Sequence, residues 1–567
     1  MSHLLAVSIG PVQEFIAAAR RTRDLWFGSY LLSEISKVVA KSVKPHGTLI
    51  FPHPHTDLES GNDKVNVANV ILAELTSGDP KEIASQAKEA AQTHWWEFAV
   101  RARGEVSSVI RDGTWNDQVN DVIEFYAAWI PHIDPMSYRV DRARVMRLLA
   151  GRKNCRDFKQ PGFNDTGLPK SSLDGQRPTV LVGPKSVESR ETYRDNWPIE
   201  VRRKLRLSLG EQLDVVGITK RLGKKKGEGD PRYPSVARVA AETWLRGVRG
   251  KAAFEKLQRD CAEIPMLNKV AEPEYDYFPY EGTVIFKDRH ADLITELGEE
   301  VKEPLKRVAA TLNALGGDPT PYVAVLVADG DGMGAGLSKL ESAESHRTLS
   351  GKLATFASGA KDIVAKHSGM LVYAGGDDVL AFVPVHRCLK CARALRERFL
   401  QETGMTLSVG VAIGHFMENL EDLRDYGQHA EKAAKAVEGK DALAVHLHKR
   451  GGAPIRVRGR WELKLDERLL HFADLLNTDA IPSKLPYELR EMARLYEPWP
   501  KADAEAAIKV DLIRLIAKKQ STGAETVRKR MGPYITDMTA KKLLSLSHEL
   551  LVACLIATAL TQSGEGS

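Results

Sequence analysis

Residues 321–334 read PYVAVLVADGDGMG, and residues 369–384 read GMLVYAGGDDVLAFVP. In the first stretch Tyr322–Ala328 is nearly all apolar, the pattern of a strand buried on both faces. It runs straight into Asp329-Gly330-Asp331-Gly332-Met333-Gly334. In the second stretch two short apolar runs, Gly369–Tyr373 and Val379–Val383, flank Ala374-Gly375-Gly376-Asp377-Asp378. That spacing predicts two strands joined by a tight turn.

Working outward, the periodicity predicts a helix around His346–His367 between the two stretches and another around Val385–Gln401 after them. A strand over Thr406–Ile413, a helix over Leu420–Val437 and a strand over Ala442–His448 complete the unit. The order βαββαβαβ is a ferredoxin-like core with additions, the palm architecture. Near the N-terminus, His3–Gly10 reads as a strand, with a helical pattern through Phe15, Ile16, Leu31 and Ile35. Thr48–Phe51 and Val67–Leu75 follow as strands, and about Pro80 to Arg103 as a helix, so the chain opens with a mixed α/β region. From about Trp461 the chain reads as helical.

The chain has 567 residues, which at about 150 residues per domain predicts roughly four domains. Hydrophobic residues at 43% and charged residues at 28% exclude a disordered or collagenous chain, and five cysteines are too few for a disulfide framework. The net charge of +6 is mild at this length. The N-terminus lacks a signal-peptide pattern, and the apolar stretch Leu543–Leu560 contains Ser545, Ser547, His548 and Glu549, so it predicts a buried helix and no membrane span. A reducing cytoplasm is the expected compartment. Between Lys153 and Gly229 basic residues cluster at Arg202–Lys204, at Lys220 and Arg221 and at Lys224–Lys226, and the last run predicts a solvated loop.

The chemistry lies in the two acidic clusters. A palm places the first strand beside the hairpin, so Asp329 should face Asp377 and Asp378. Clustered carboxylates repel unless something cationic neutralises them, and hard oxygen ligands suit Mg²⁺ or Mn²⁺, which also bind phosphate oxygens. Gly330, Gly332 and Gly334 are expected to let backbone N–H groups approach phosphates, and Gly375 and Gly376 to make room for a base or ribose. Lys435, in Ala434-Lys435, is positioned to hold a triphosphate as a point charge. Competing motifs fail. A dinucleotide fingerprint counted from Gly330 meets Ala335 at its last glycine, and a calcium loop from Asp329 meets Met333 and Leu340 where acids are needed. Together these parts describe metal-assisted nucleotidyl transfer.

The hairpin Tyr373–Asp378 and the strand-loop Ala328–Gly334 resemble those of the large subunit of type III CRISPR effector complexes. The opening Gly10-Pro11-Val12-Gln13-Glu14-Phe15-Ile16, followed by Ala19-Arg20-Arg21-Thr22-Arg23-Asp24-Leu25-Trp26, resembles the Cmr (type III-B) branch. The resemblance implies an α+β chain of two palms and two helical modules. The first palm, 1–155, lacks the Gly-Gly-Asp-Asp hairpin; a mainly helical domain follows over 156–316, the second palm over 317–455 and a C-terminal helical domain over 456–567. It implies ATP as substrate and cyclic oligoadenylate as product, made when guide crRNA pairs with target RNA among other Cmr-type subunits. Asp329, Asp377 and Asp378 would then hold the metal and act catalytically. Gly330, Asp331, Gly332, Met333, Gly334, Gly375, Gly376 and Lys435 would contact nucleotide, and Gly10, Pro11 and Gln13 a second ATP.

Two departures from the family pattern carry expectations. The chain begins at the first palm, and no His-Asp dipeptide occurs, so no HD nuclease activity is expected. The segments matching the family's two Cys-x-x-Cys pairs read Lys170–Gly175 and Leu213–Gly217 without cysteine, so no zinc is expected there. Cys388 and Cys391, a lone pair on a helix, are expected to be buried thiols. Two other readings stay open: joining of AMP to S-adenosylmethionine at the same site, and a mainly structural subunit that anchors guide RNA.

Overall fold

The computed structural model describes residues 2–61, 65–155, 167–183, 197–207, 210–223, 233–265, 267–518, 530–535 and 538–565. The run Lys224–Lys226 lies outside them.

Four strands build the first sheet: β1 (His3–Gly10), β2 (Gly47–Phe51), β3 (Val70–Leu75) and β4 (Glu124–Pro131), in the order β2-β3-β1-β4. All its pairings are antiparallel. Successive side chains alternate faces along a strand, and β1 uses both. Leu5, Val7 and Ile9 pack under α2 (Thr22–Val43) and α3 (Pro80–Gly104), while Leu4 and Ala6 pack under α5 (Tyr138–Asn154). The short helices α1 (Gln13–Ala17) and α4 (Asp112–Val119) lie between these elements. Strand β4 was not predicted, although Glu124–Pro131 pairs with β1 over its whole length, from His3↔Pro131 to Gly10↔Glu124. Its sequence, EFYAAWIP, is apolar without alternation because the strand carries packed side chains on both faces.

The second sheet has the order β10-β9-β8-β5-β7-β6, with β5 (Tyr322–Gly330), β6 (Met370–Gly375), β7 (Asp378–Pro384), β8 (Leu407–His415), β9 (Ala442–Leu447) and β10 (Ile455–Arg460). Read as β6-β7-β5-β8, four of its strands repeat the order of the first sheet. Strand β5 is buried on both faces, as its composition predicts. Ala324, Leu326 and Ala328 pack with α13 (Ala343–Lys366) and α14 (Cys388–Thr403), and Val323 and Val325 with the helical layer opposite. The expected helix Leu420–Val437 forms as α15 (Leu420–Lys435) on that opposite face. Strand β10 extends the sheet past residue 455 by pairing antiparallel with β9. Between β5 and α13 the expected loop closes into a short helix, α12 (Met333–Ser338).

The middle of the chain is helical: α6 (Ile199–Leu205), α7 (Val215–Leu222), α8 (Val236–Val248), α9 (Ala253–Ala262), α10 (His290–Leu297) and α11 (Lys302–Leu315). Lys220 and Arg221, grouped with the basic clusters, are buried in α7. Lys220 donates to the carbonyls of Phe15 and Ala18 (2.9 Å to Ala18), and Arg221 pairs with Asp24 (2.8 Å) and Glu211 (3.1 Å). They fasten the helical middle to the first palm. The two segments aligned with cysteine pairs lie side by side, where Ser172 and Gln212 exchange hydrogen bonds of 2.8 and 2.9 Å. Leu173 packs on Gly217, and the Asp214 carboxylate accepts from the Gly217 N–H to cap α7. Apolar packing and a cap stand where a zinc site would need thiolates or imidazoles.

The C-terminal helices are α16 (Leu465–Asn477), α17 (Leu485–Tyr496), α18 (Lys501–Lys518) and α19 (Ala540–Ser563). Helix α19 is apolar and long enough to cross a membrane, but it packs against α16 and α17 and most of its apolar stretch is buried. Cys388 and Cys391 sit in the core of the second palm, where burial pushes both thiols up.

Candidate active site

Alternation along β5 puts Asp329 on the face of Val325 and Val327, the face covered by α15. The helix lies close because two glycines allow it. A Cβ on Gly427 would meet Val327 and Val325 at 2.8 and 2.9 Å, and one on Gly410 of β8 would strike the Glu431 nitrogen at 2.0 Å. This close approach brings Glu431 and Lys435 to Asp329. Lys435 Nζ donates to Asp329 and lies 3.5 Å from the Glu431 carboxylate.

The hairpin supplies the other carboxylates. Gly375 pairs with Asp378, leaving Gly376 and Asp377 as a two-residue turn, and Gly376 takes the φ of +80° that its first position requires. Gly330 admits this turn, since a Cβ there would meet the Asp377 Cβ at 2.9 Å. Carboxylate oxygens of Asp329, Asp377 and Asp378 all lie within 4.8 Å of one another. At an effective dielectric of about 20, two unit charges that far apart repel by about 3 kcal/mol. Lys435 offsets only part of this. Burial and the Asp329 charge push Asp377 up to about 6, against its own backbone N–H and Lys435. Asp378 is pushed up further, by burial, by a hydrogen bond shared with Asp329 and by both neighbouring charges. Burial works against the Lys435 ammonium, but its hydrogen bond to Asp329 and the charges of Asp329 and Glu431 hold its pKa above the usual lysine value.

A cluster of hard oxygens in which Asp377 and Asp378 hold their protons above the usual carboxylate range, with one partial counter-charge, fits a divalent cation such as Mg²⁺ or Mn²⁺. Several residues grouped with the site by sequence do other work. Asp331 is turned away and buried, accepting from Thr406 Oγ1 (2.9 Å), Ser408 Oγ (2.8 Å) and the Asp441 N–H (3.0 Å). It ties β5 to β8 and to the start of β9. Met333 enters the core beside Phe356 and Phe399, and Gly332 is the left-handed N-cap of α12. Gly334 faces open space.

Between the two sheets lies a cavity of about 730 Å³. Gly10, Pro11 and Gln13 line it from the first palm, and Tyr373, Gly375 and Asp378 from the second. The structure therefore joins the Gly10–Gln13 turn to the hairpin, and Asn66 bridges the palms by donating to the Ala374 carbonyl (3.3 Å). Of the three clustered aspartates, Asp378 reaches this cavity. Arg424 and Gln428 of α15 and Lys153 at the end of α5 also line it and went unnoticed in the sequence. A signal existed for the first two: 424, 428, 431 and 435 fall on one helical face.

A four-stranded palm-type sheet repeated within one chain, with acidic residues clustered, among the described residues, on the second copy, defines a twin-palm protein. Family models match at both copies: "Cas10/Cmr2, second palm domain" over residues 322–444 and "CRISPR-associated protein Cmr2, N-terminal" over residues 4–100. The Cmr subunit Cmr2 of Pyrococcus furiosus is 29% identical over an alignment covering 94% of this chain and 71% of that protein. The chain is thus a homologue of Cmr2. The fold also matches a solved type III-B Cmr-beta complex in its apo state (TM-score 0.64, 14% identity, 90% of this chain and 77% of that one). A Cmr-beta structure bound to cognate target RNA matches similarly (TM-score 0.65, 14% identity, 92% and 79%). A Csm1-Csm4 cassette in complex with pppApA matches at TM-score 0.50, 12% identity, over 98% and 69%.

Proposed function

We propose that the chain is a target-RNA-activated nucleotidyltransferase that converts ATP to cyclic oligoadenylate within a Cmr-type effector complex with guide crRNA. The observation that carries this reading is the convergence of Asp329, Asp377 and Asp378 on the hairpin that borders a cavity shared with the first palm. A divalent cation held by the three carboxylates would supply charge to lower the pKa of a 3′-hydroxyl and to offset the triphosphate. Asp378, at the cavity wall, faces the reacting end of the bound nucleotide. The Gly10–Gln13 turn holds the second nucleotide across the cavity, and Gly375 leaves room beside the Tyr373 ring for a ribose. The 3′-oxygen bonds to the α-phosphorus as the bond to pyrophosphate breaks, and the hydroxyl proton leaves to solvent. Lys435 is placed to follow the charge from Asp329 to a phosphate. Tyr373, buried among the acids, keeps its proton and can donate it in a hydrogen bond.

The reading is supported by the neighbours of this fold, one solved with target RNA and one with pppApA. It is tested with Asp377→Ala plus Asp378→Ala in an assembled complex given ATP, Mg²⁺ and target RNA. Loss of oligoadenylate is expected, and undiminished product would overturn the assignment. Product analysis with and without S-adenosylmethionine separates self-condensation of ATP from transfer of AMP to another acceptor.

A further inference from the structure

Helix α1 (Gln13–Ala17) is too short to stand by itself, since one helical turn gains few bonds for the backbone order it costs. Its N-cap, Val12, makes no side-chain capping bond, and its last turn carries no basic residue. Yet α1 forms part of the wall of the cavity between the palms, where Gln13, Ile16 and Ala17 follow the Gly10–Pro11 turn. Phe15 packs instead in the core of the first palm, edge-on to Trp95. The support for α1 comes from far along the chain.

Lys220 of α7 reaches the C-terminal end of α1 and donates to the carbonyls of Phe15 and Ala18 (2.9 Å to Ala18). Carbonyls at a helix end have no intrahelical partners, and a lysine can satisfy them. The same ammonium stands 4.6 Å from the centroid of the Phe15 ring. Gly28 of α2 makes the passage: a Cβ there would meet Lys220 Cε at 3.0 Å and Ile16 Cα at 3.4 Å, so α1, α2 and α7 meet at one point. The arrangement is costly. Lys220 is 1% exposed, and its charge is answered by carbonyls and a ring and not by an ion pair. Burial pushes the ammonium down to about 8, against the pull of Asp24, Asp214 and Asp174. Arg221, the other buried cation of α7, is matched by two carboxylates.

We infer that Lys220 is a positioning residue: from the helical middle it fixes α1, and with it the Gly10–Gln13 turn, in the place that seats the second ATP. What the seat holds rests on the proposed function, while the strut itself does not. Without the ammonium the Phe15 and Ala18 carbonyls are left unanswered at a buried point, and α1 loses the bonds that end it. The helical middle thereby acquires a direct hold on the cavity. A shift of α7 moves the nucleotide seat through one side chain.

The test is calorimetric titration of the full chain with a non-hydrolysable ATP analogue and Mg²⁺, comparing the unaltered chain with Lys220→Met and Val216→Ala. Methionine keeps the apolar stem and removes the donors, while Val216→Ala loosens the core around the same helix and leaves the ammonium in place. Lys220→Met is expected to weaken the analogue roughly tenfold or more, the scale of loss that a small misplacement of a binding group causes. Val216→Ala should leave affinity within about twofold. In the assembled complex Lys220→Met should raise the KM for ATP by the same factor, with kcat at saturating ATP within about threefold. Unchanged affinity in Lys220→Met would overturn the inference. So would equal weakening in Val216→Ala, which would make the lysine a staple of the fold and nothing more. Where Lys220→Met does not fold, Gly28→Ala displaces the ammonium without removing it; the same weakening is expected, and normal affinity overturns the inference equally. Absence of analogue binding to the unaltered chain would overturn both this inference and the proposed function. Undiminished product from Asp377→Ala with Asp378→Ala would overturn the catalytic reading alone, and the Lys220 titration would still decide this one.

Discussion

The two palms share a strand order and differ at one corner. In the first, β2 and β3 are joined through residues 52–69, and β1 ends in Gly10 opposite Glu124. In the second, the corresponding β6 and β7 are joined by Gly376-Asp377, and β5 ends in Asp329-Gly330. The same topology thus supports an open strand end on one side of a cavity and, at its other side, a hairpin that gathers three crowded carboxylates. The scaffold is held by apolar faces that both copies bury. The acidic cluster is made by three side chains and by the glycines that let them meet, and those parts destabilise what the rest of the palm stabilises.

The largest expected difference between the palms is in turnover. Asp377→Ala with Asp378→Ala should reduce oligoadenylate formation by about 10³-fold or more, the loss of several kcal/mol of charge stabilisation. Glu124→Gln, at the first palm's side of the same cavity, should leave turnover within about tenfold. Equal losses in a product assay would mean that the two seats share the chemistry.

A second contrast lies within one strand and the turn that follows it. Asp331→Ala removes a buried acceptor of three hydrogen bonds and should cost about 3 kcal/mol, read as a drop in thermal midpoint of several degrees. Asp329→Asn, two residues earlier, removes a repelled charge and should leave the midpoint unchanged or raised in metal-free buffer.

The third prediction concerns pH. The folded chain holds protons on Asp377 and Asp378 that the unfolded chain releases near 3.8. Because the folded state then binds more protons, metal-free stability is greatest below about pH 4 from these groups and falls as pH rises through about 6 and beyond. The loss should amount to several kcal/mol, should vanish in Asp377→Asn with Asp378→Asn, and should be reversed by Mg²⁺. A flat metal-free profile in the unaltered chain would show that the carboxylates do not repel. Smallest of all, Gln13→Ala should raise the KM for ATP a few-fold with kcat nearly unchanged, as expected for a group that binds substrate without changing the barrier.

Much of this arrangement was legible before the structure. The run Tyr322–Ala328, the turn Gly375–Asp378 and the helix carrying Lys435 are local patterns, and each appears where its periodicity puts it. The cavity brings the Gly10–Gln13 turn to the hairpin. Less legible was whatever depends on register or on partners far apart in sequence. Asp331 has the same residue type and setting as Asp329, and only the backbone path and the hydroxyls of Thr406 and Ser408 separate their roles. Gly330 looks like a phosphate-loop glycine, yet it makes room for Asp377. The burial of Lys220 and Arg221 was not legible, because their partners Phe15, Ala18 and Asp24 lie about two hundred residues away. Strand β10 alternates apolar and basic residues in IRVRGR, a weak pattern beyond a glycine-rich turn, and its identity depends on β9 beside it.

The pair between Lys435 and Asp329 gives the site a built-in rival. An ammonium anchored on α15 is present at an effective local concentration that depends on its short tether and not on the salt outside. The acids are therefore never wholly bare: when one counter-charge departs, another is already within reach. A soluble ion that takes its place must win an exchange, so its apparent affinity measures the difference between two cations and not its own attraction alone.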